Sequence, residues 1–118
     1  FGRWMVPLLR EQSERVAHCM YHWDGPGAIP HHDQLLSIET IDVIQWTPGS
    51  GAEGTWHERW WPMYHKTVNA GKGMFIHGGN LENLRALKKE FGAKLNRFII
   101  TTGAESVAEA ERLIDAVS

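Results

Sequence analysis

The chain has 118 residues, 42% of them hydrophobic, and a net charge of −2, which allows one buried core and no second full domain. Lys, Arg, Asp and Glu are mixed along it, so the basic stripe of a nucleic-acid binder is absent, and no apolar run reaches the ~20 residues of a membrane-spanning helix. The lone Cys19 excludes an internal disulfide and a Cys-rich zinc framework.

These properties predict a soluble, cytoplasmic protein with no nucleic-acid or membrane partner. A start at Phe1, without a secretory pattern and without an evident cap on the first element, reads as a piece of a longer protein. Seven histidines and six tryptophans are the unusual part of the composition.

In chain order, WMVPLLREQSE (Trp4 to Glu14) predicts a helix with Pro7 in its first turn. Val16 to Trp23 predicts a strand that empties into Asp24-Gly25-Pro26-Gly27, a turn no helix enters comfortably. Pro30 to Ile38 predicts a short helix, with His31 and His32 at a solvated start. Ile41 to Trp46 predicts a second strand, followed by the Gly-rich loop TPGSGAEG.

Thr55-Trp56-His57-Glu58 has the form of a capping box, and predicts a helix carrying Trp56, Trp60, Tyr64 and Val68 on one face, bent at Pro62 and stopped at Gly71. Those aromatics suit either a core or an oligomer surface. Gly73 to His77 predicts a third strand, and Asn80 caps a helix with Leu81, Leu84, Leu87 and Phe91 buried and Gly92 at its end. Arg97 to Thr101 predicts the fourth strand, and Ser106 to Glu109 a second capping box, opening a helix with Val107, Ala110, Leu113, Ile114 and Val117 inside.

Strand starts recur roughly every 25 to 30 residues, the length of a βα unit, so the fold class is α/β with four parallel βα units. Two architectures meet this pattern: a small open parallel sheet, or the carboxyl-terminal half of a (β/α)8 TIM barrel, which the Phe1 start favours. In either, strand ends converge on one edge. That edge collects His22, Trp23 and Asp24, then Gln45 and Trp46, then His77 and Asn80, and finally Thr101 and Thr102.

His22 and Asp24 lie two apart and so face the same way, where imidazole and carboxylate can share a proton or a metal ion. The plainer alternative is a hydrogen bond between them and to the turn amides. Trp46, beside the Gly-rich loop, is expected to wall a pocket. His18 alternates with His22 and reads as a satisfied interior histidine; His57 and His65 read as surface residues, and Cys19 as a packed thiol. Gly49, Gly51 and Gly54 have no nucleotide-binding spacing.

YHWDGPGAIPHHDQLLSI, IDVIQWTPGSG and AGKGMFIHG together resemble the uroporphyrinogen decarboxylase and cobalamin-dependent methyltransferase superfamily, in its decarboxylase-like branch. The resemblance covers most of the chain and implies strands five to eight of a TIM barrel. It further implies zinc held by a His-x-Cys pair, a thiol acceptor and a corrinoid protein as methyl donor. His22 matches the histidine of that pair and Asp24 replaces its cysteine; RFIITTGAES has neither the family's last cysteine nor the histidine of the decarboxylases.

The expectation is therefore a fragment of a decarboxylase-like enzyme acting in one-carbon methyl transfer. His22 and Asp24 are its catalytic pair and tentative metal ligands, and Gln45, Trp46, His77 and Asn80 its substrate contacts. The alternatives are porphyrinogen decarboxylation proper and a barrel that binds a small molecule without turnover.

Overall fold

A computed structural model describes residues 2–118, and Phe1 lies outside the described residues. The element order is α1 (Met5–Ser13), β1 (Met20–Asp24), α2 (His32–Leu36), β2 (Val43–Thr47), α3 (Trp61–Asn69), β3 (Gly73–His77), α4 (Leu81–Phe91), β4 (Phe98–Thr101) and α5 (Val107–Val117). Short 3-10 turns precede α2 and α3 and follow α4. The chain is an α/β protein with one four-stranded sheet in the order β1-β2-β3-β4.

All pairings are parallel. Tyr21 faces Ile44, His22 faces Gln45 and Asp24 faces Thr47, while Ile44 faces Met74 and His77 faces Thr101. Each strand lies beside the next in sequence, as consecutive right-handed βα crossovers require when none skips a position.

Alternation along the strands divides the sheet into two faces. Trp23, Ile44, Trp46, Met74 and Ile76 are buried and join Leu35, Tyr64, Val68, Leu87 and Phe91 in one core under the helices. The other face carries Met20, His22 and Asp24, then Val43, Gln45 and Thr47, then Phe75 and His77, then Ile99 and Thr101; none of these is buried. Among the described residues no helix packs on it.

The helices form a row behind the sheet. The Ser13 hydroxyl meets that of Thr40 beyond α2, Lys66 of α3 pairs with Asp33 of α2, and His65 of α3 pairs with Glu90 of α4 at 2.8 Å. Lys88 of α4 donates to the Ser118 carbonyl after α5 at 2.5 Å. The terminal helices α1 and α5 thus flank the layer at its two ends.

Several sequence expectations are corrected by this packing. β1 begins at Met20, not Val16, because the Cys19 amide is held by the Asp42 carboxylate at 2.8 Å and the pairing starts only where β2 supplies a partner. His18 is therefore no interior residue; its side chain is 91% exposed.

The Thr55 capping box does not form. The chain takes a 3-10 turn over Glu58–Trp60, and α3 starts at Trp61 with Pro62 in its first turn, where the missing amide is harmless and no bend results. Aromatic donors hold the preceding loop in its place: Trp60 Nε1 donates to the Gly54 carbonyl at 3.0 Å and the buried Tyr64 hydroxyl to that of Thr55 at 2.6 Å. Burial of Tyr64 pushes its phenol well above the usual range.

In α5 Leu113 is buried and Ala110 and Val117 are half-buried, whereas Val107 is 76% and Ile114 62% exposed, so the expected inner stripe holds only in part. His32 is not solvated either, being 5% exposed in the core behind β1. The elements around β3 keep their expected form: Gly73–His77 is a strand, Asn80 caps α4 through a reciprocal box with Asn83, and Gly92, at φ 55°, ends that helix.

Candidate functional site

β1 delivers His22 and Asp24 to the uncovered face at the carboxyl edge of the sheet. Its turn is fixed from behind, since Trp23 points the opposite way and its Nε1 donates to the Ala28 carbonyl at 2.8 Å, anchoring the GPGAIP loop. Gly25, at φ 80°, donates its amide to the last carbonyl of β2, at Thr47, at 2.8 Å. Gly78, at φ 82°, makes the equivalent bond from the end of β3 to Thr101 at 2.6 Å. The left-handed conformation suits glycine at both turns.

Two side-chain pairs bridge adjacent strands on this face. His22 Nδ1 lies 3.0 Å from Gln45 Oε1, and His77 Nδ1 lies 2.7 Å from the Thr101 hydroxyl. An amide oxygen only accepts, so the first contact requires the proton on Nδ1 and leaves a lone pair on His22 Nε2. The Asp24 carboxylate stands 3.9 Å from that nitrogen, beyond hydrogen-bond range.

Trp56 is the residue that sequence spacing misplaced. It lies ahead of α3, and its indole rests over the β3–α4 turn, with Nε1 donating to the His77 carbonyl at 3.2 Å. A Cβ on Gly79 would come within 2.5 Å of the Trp56 ring, so the glycine is what lets the indole settle there. Thr102 closes the same turn by donating to the Gly79 carbonyl at 2.7 Å. A tryptophan directly after a Gly-rich loop was the available signal, hidden by the match to a helical stripe.

The expected site residues therefore separate. His22, Asp24, Gln45 and His77 share the uncovered face, and Asn80 stands at the same edge with its side-chain oxygen engaged by the Asn83 amide at 2.8 Å. Trp46 belongs elsewhere: it is 2% exposed on the helix side, with its ring centroid 4.7 Å from Trp23 and 5.0 Å from Trp60. It fills the core instead of walling a pocket. Among the described residues its Nε1 is the one buried side-chain polar atom without a partner.

Among the described residues no group of three His, Cys, Asp or Glu side chains converges in a way that could hold a metal ion. His22 and Asp24 offer two donors, whereas protein zinc sites take three or four ligands, so the described residues do not complete such a site. No helix among them is long and apolar enough to cross a membrane.

Fold and site together define a parallel βα protein with a polar, histidine-bearing carboxyl edge on an uncovered sheet face. No family model, curated protein or solved structure matches the chain.

Proposed function

We propose that this chain is one (βα)4 half of a (β/α)8 barrel of the uroporphyrinogen decarboxylase and cobalamin-dependent methyltransferase kind, and that its rim binds a small polar substrate for one-carbon methyl transfer. The observation that carries the reading is the joining of His22 to Gln45 and of His77 to Thr101 on one uncovered face at the carboxyl ends of four adjacent strands. Barrels keep their helices outside and place their chemistry at that end, whereas doubly wound sheets carry helices on both faces. The strand order and the one-sided helical layer support the barrel.

A corrinoid protein, the donor that the resemblance implies, supplies the methyl group as an electrophile. The chain's own part is proton removal and orientation. His22 Nε2 takes the proton of an acceptor S–H or O–H, the electron pair left on sulfur or oxygen attacks the methyl carbon, and the donor keeps the pair of the broken bond. Asp24 flanks Nε2 at 3.9 Å, and Gln45 holds the ring so that Nε2 faces the substrate. His77, Thr101 and Asn80 line the far side of the rim. With only two protein donors at hand, no step runs through zinc.

Binding without turnover is favoured by one observation: the rim is open, and the His22 side chain is 56% exposed, so one copy of the chain excludes little water. The two readings part in a direct assay. Loss of methylcobalamin absorbance with a small thiol should be slowed about 100-fold or more by His22→Gln. Equal rates for the two proteins would sink the methyl-transfer reading; release of carbon dioxide from a porphyrinogen would replace it with decarboxylation.

A further inference from the structure

We propose that the groove between α4 and α5 is an anion site that holds a short chain of phosphates. It lies on the helical layer, and both of its walls belong to helices that pack on each other within this chain. It therefore stands independently of the half-barrel reading.

The observation is a convergence of like charge. Arg85, Lys88 and Lys89 of α4 and Arg112 of α5 line the groove with Asp115 and Ala116, around a volume of about 590 Å³. Four cations thus meet one carboxylate, in a chain whose net charge is −2. Among the described residues Arg85, Lys89 and Arg112 have no ion pair, and Lys88 donates to the Ser118 carbonyl, a neutral partner.

Elsewhere the chain answers its cations with acids, as Arg15 with Glu11 at 2.6 Å and Lys66 with Asp33 at 2.5 Å. On α4 and α5 the acids serve other neighbours. Glu90 pairs with His65 of α3, and Glu109 accepts from the Glu105 amide ahead of α5. The helix dipole accounts for Lys88 and Lys89 in the last turn of α4, but not for Arg85 before them or for Arg112 on α5. Arg85 and Lys89 are four apart on one helix, a spacing at which like charges repel. An anion between the helices relieves that repulsion.

The lining specifies the chemistry. It has no aromatic ring, and Ala116 is its one apolar residue, so an apolar body or a nucleobase finds no wall and binding comes from charge. Two guanidinium forks match paired phosphate oxygens, and two ammoniums act as point charges beside them. A single exposed ion pair contributes little, so the ligand has to meet several cations at once, as an oligophosphate does and a lone carboxylate does not. The volume is within the ~300–1,000 Å³ of small-molecule sites. Four cations on two helices are too few to track a nucleic-acid backbone. Lys88 and Lys89 lie at the end of α4 remote from Asn80, so the site faces away from the rim.

Inorganic oligophosphate and a nucleoside triphosphate share this chemistry, and the lining favours the inorganic chain, which carries more charge per phosphate. Calorimetric titration of the chain with sodium tripolyphosphate in about 20 mM salt should show one saturable site that weakens severalfold at about 150 mM salt. Arg85→Gln with Arg112→Gln, both exposed, should weaken it at least about tenfold with the circular dichroism spectrum unchanged. Arg10→Gln with Arg15→Gln removes the same charge outside the groove and should change the affinity by less than about twofold. Absence of tripolyphosphate binding, or an equal loss in the two double variants, would overturn the site. ATP held about tenfold more tightly than tripolyphosphate would assign the groove to nucleotides and overturn the inorganic source. A triglutamate peptide or a single-stranded oligonucleotide held more tightly than tripolyphosphate would overturn the ligand class.

Discussion

His32 Nε2 lies 2.8 Å from the Thr67 hydroxyl, and that hydroxyl donates its own proton to the Met63 carbonyl at 2.9 Å. Thr67 must therefore accept from the ring, which fixes neutral His32 in its Nε2–H form. Trp23 stacks on the same imidazole with a centroid distance of 4.4 Å, tying β1 to α2 and α3 at once.

Burial, aided by the Lys66 ammonium and opposed by Asp33, lowers His32 from its usual 6.5 to about 4. Between those values the unfolded chain binds a proton that the folded chain does not, so this contribution is complete above pH 6.5 and is lost as pH falls toward 4. Urea unfolding should show His32 removing about 2 kcal/mol between pH 7 and about pH 5. His32→Gln should flatten that part of the pH profile. Identical slopes in the two proteins would rule His32 out as the source.

The bond from His22 Nδ1 to Gln45 makes a spectroscopic prediction. At neutral pH the ring nitrogens of His22 should give the ¹⁵N shifts of the Nδ1–H tautomer, opposite to the common preference in solution. Gln45→Leu should move the mixture toward Nε2–H and slow any His22-dependent reaction roughly tenfold. Shifts that do not respond to Gln45→Leu would mean that the contact does not orient the ring.

Gly79 carries two constraints, a φ of 95° and the Trp56 indole above it. Gly79→Ala should cost about 2 kcal/mol and displace the Trp56 indole N–H resonance, because both the backbone and the ring must shift. Trp56→Phe should lose much less stability while relaxing the β3–α4 turn. A Gly79→Ala protein with wild-type stability and an unmoved indole signal would contradict the packing.

Lys72 lies at the opposite end of the sheet, 6% exposed, with its ammonium donating to the Ile38 and Ile41 carbonyls at 2.7 and 2.5 Å. Burial lowers its pKa from the usual 10.5. Lys72→Met leaves both carbonyls without this partner and should cost about 2–3 kcal/mol, with no effect on chemistry at the rim. Thermal denaturation alongside the methylcobalamin assay separates the two effects; a loss of activity without a loss of stability would reverse the assignment.

Much of the fold was legible in local chemistry. GMFIH between glycines, Asn80 ahead of Leu84, Leu87 and Phe91, and Gly92 behind them each contain their own start and stop. Thr55 to Glu58 had an equally good helix signature and failed, because the donors that hold this loop, on Trp60 and Tyr64, belong to residues further along the chain. His32 was misread for the same reason, as its partner Thr67 is 35 positions away.

At the site, the His22–Asp24 side of β1 could be read from spacing alone, and the structure brings Gln45 and His77 to the same face. Trp46 and Trp56 exchanged roles, the first entering the core and the second covering the rim.

By itself the sequence determined the alternation of strands and helices and the opposition of Gln45 to Trp46, since a period of two sends neighbours to opposite faces. It could not determine which of those faces the helices cover, because alternation is symmetric until something packs on one side. Tertiary structure decided that. Trp23, Trp46 and Trp60 formed the helix-side core, and His22, Gln45 and His77 were thereby left together on the face that remained open.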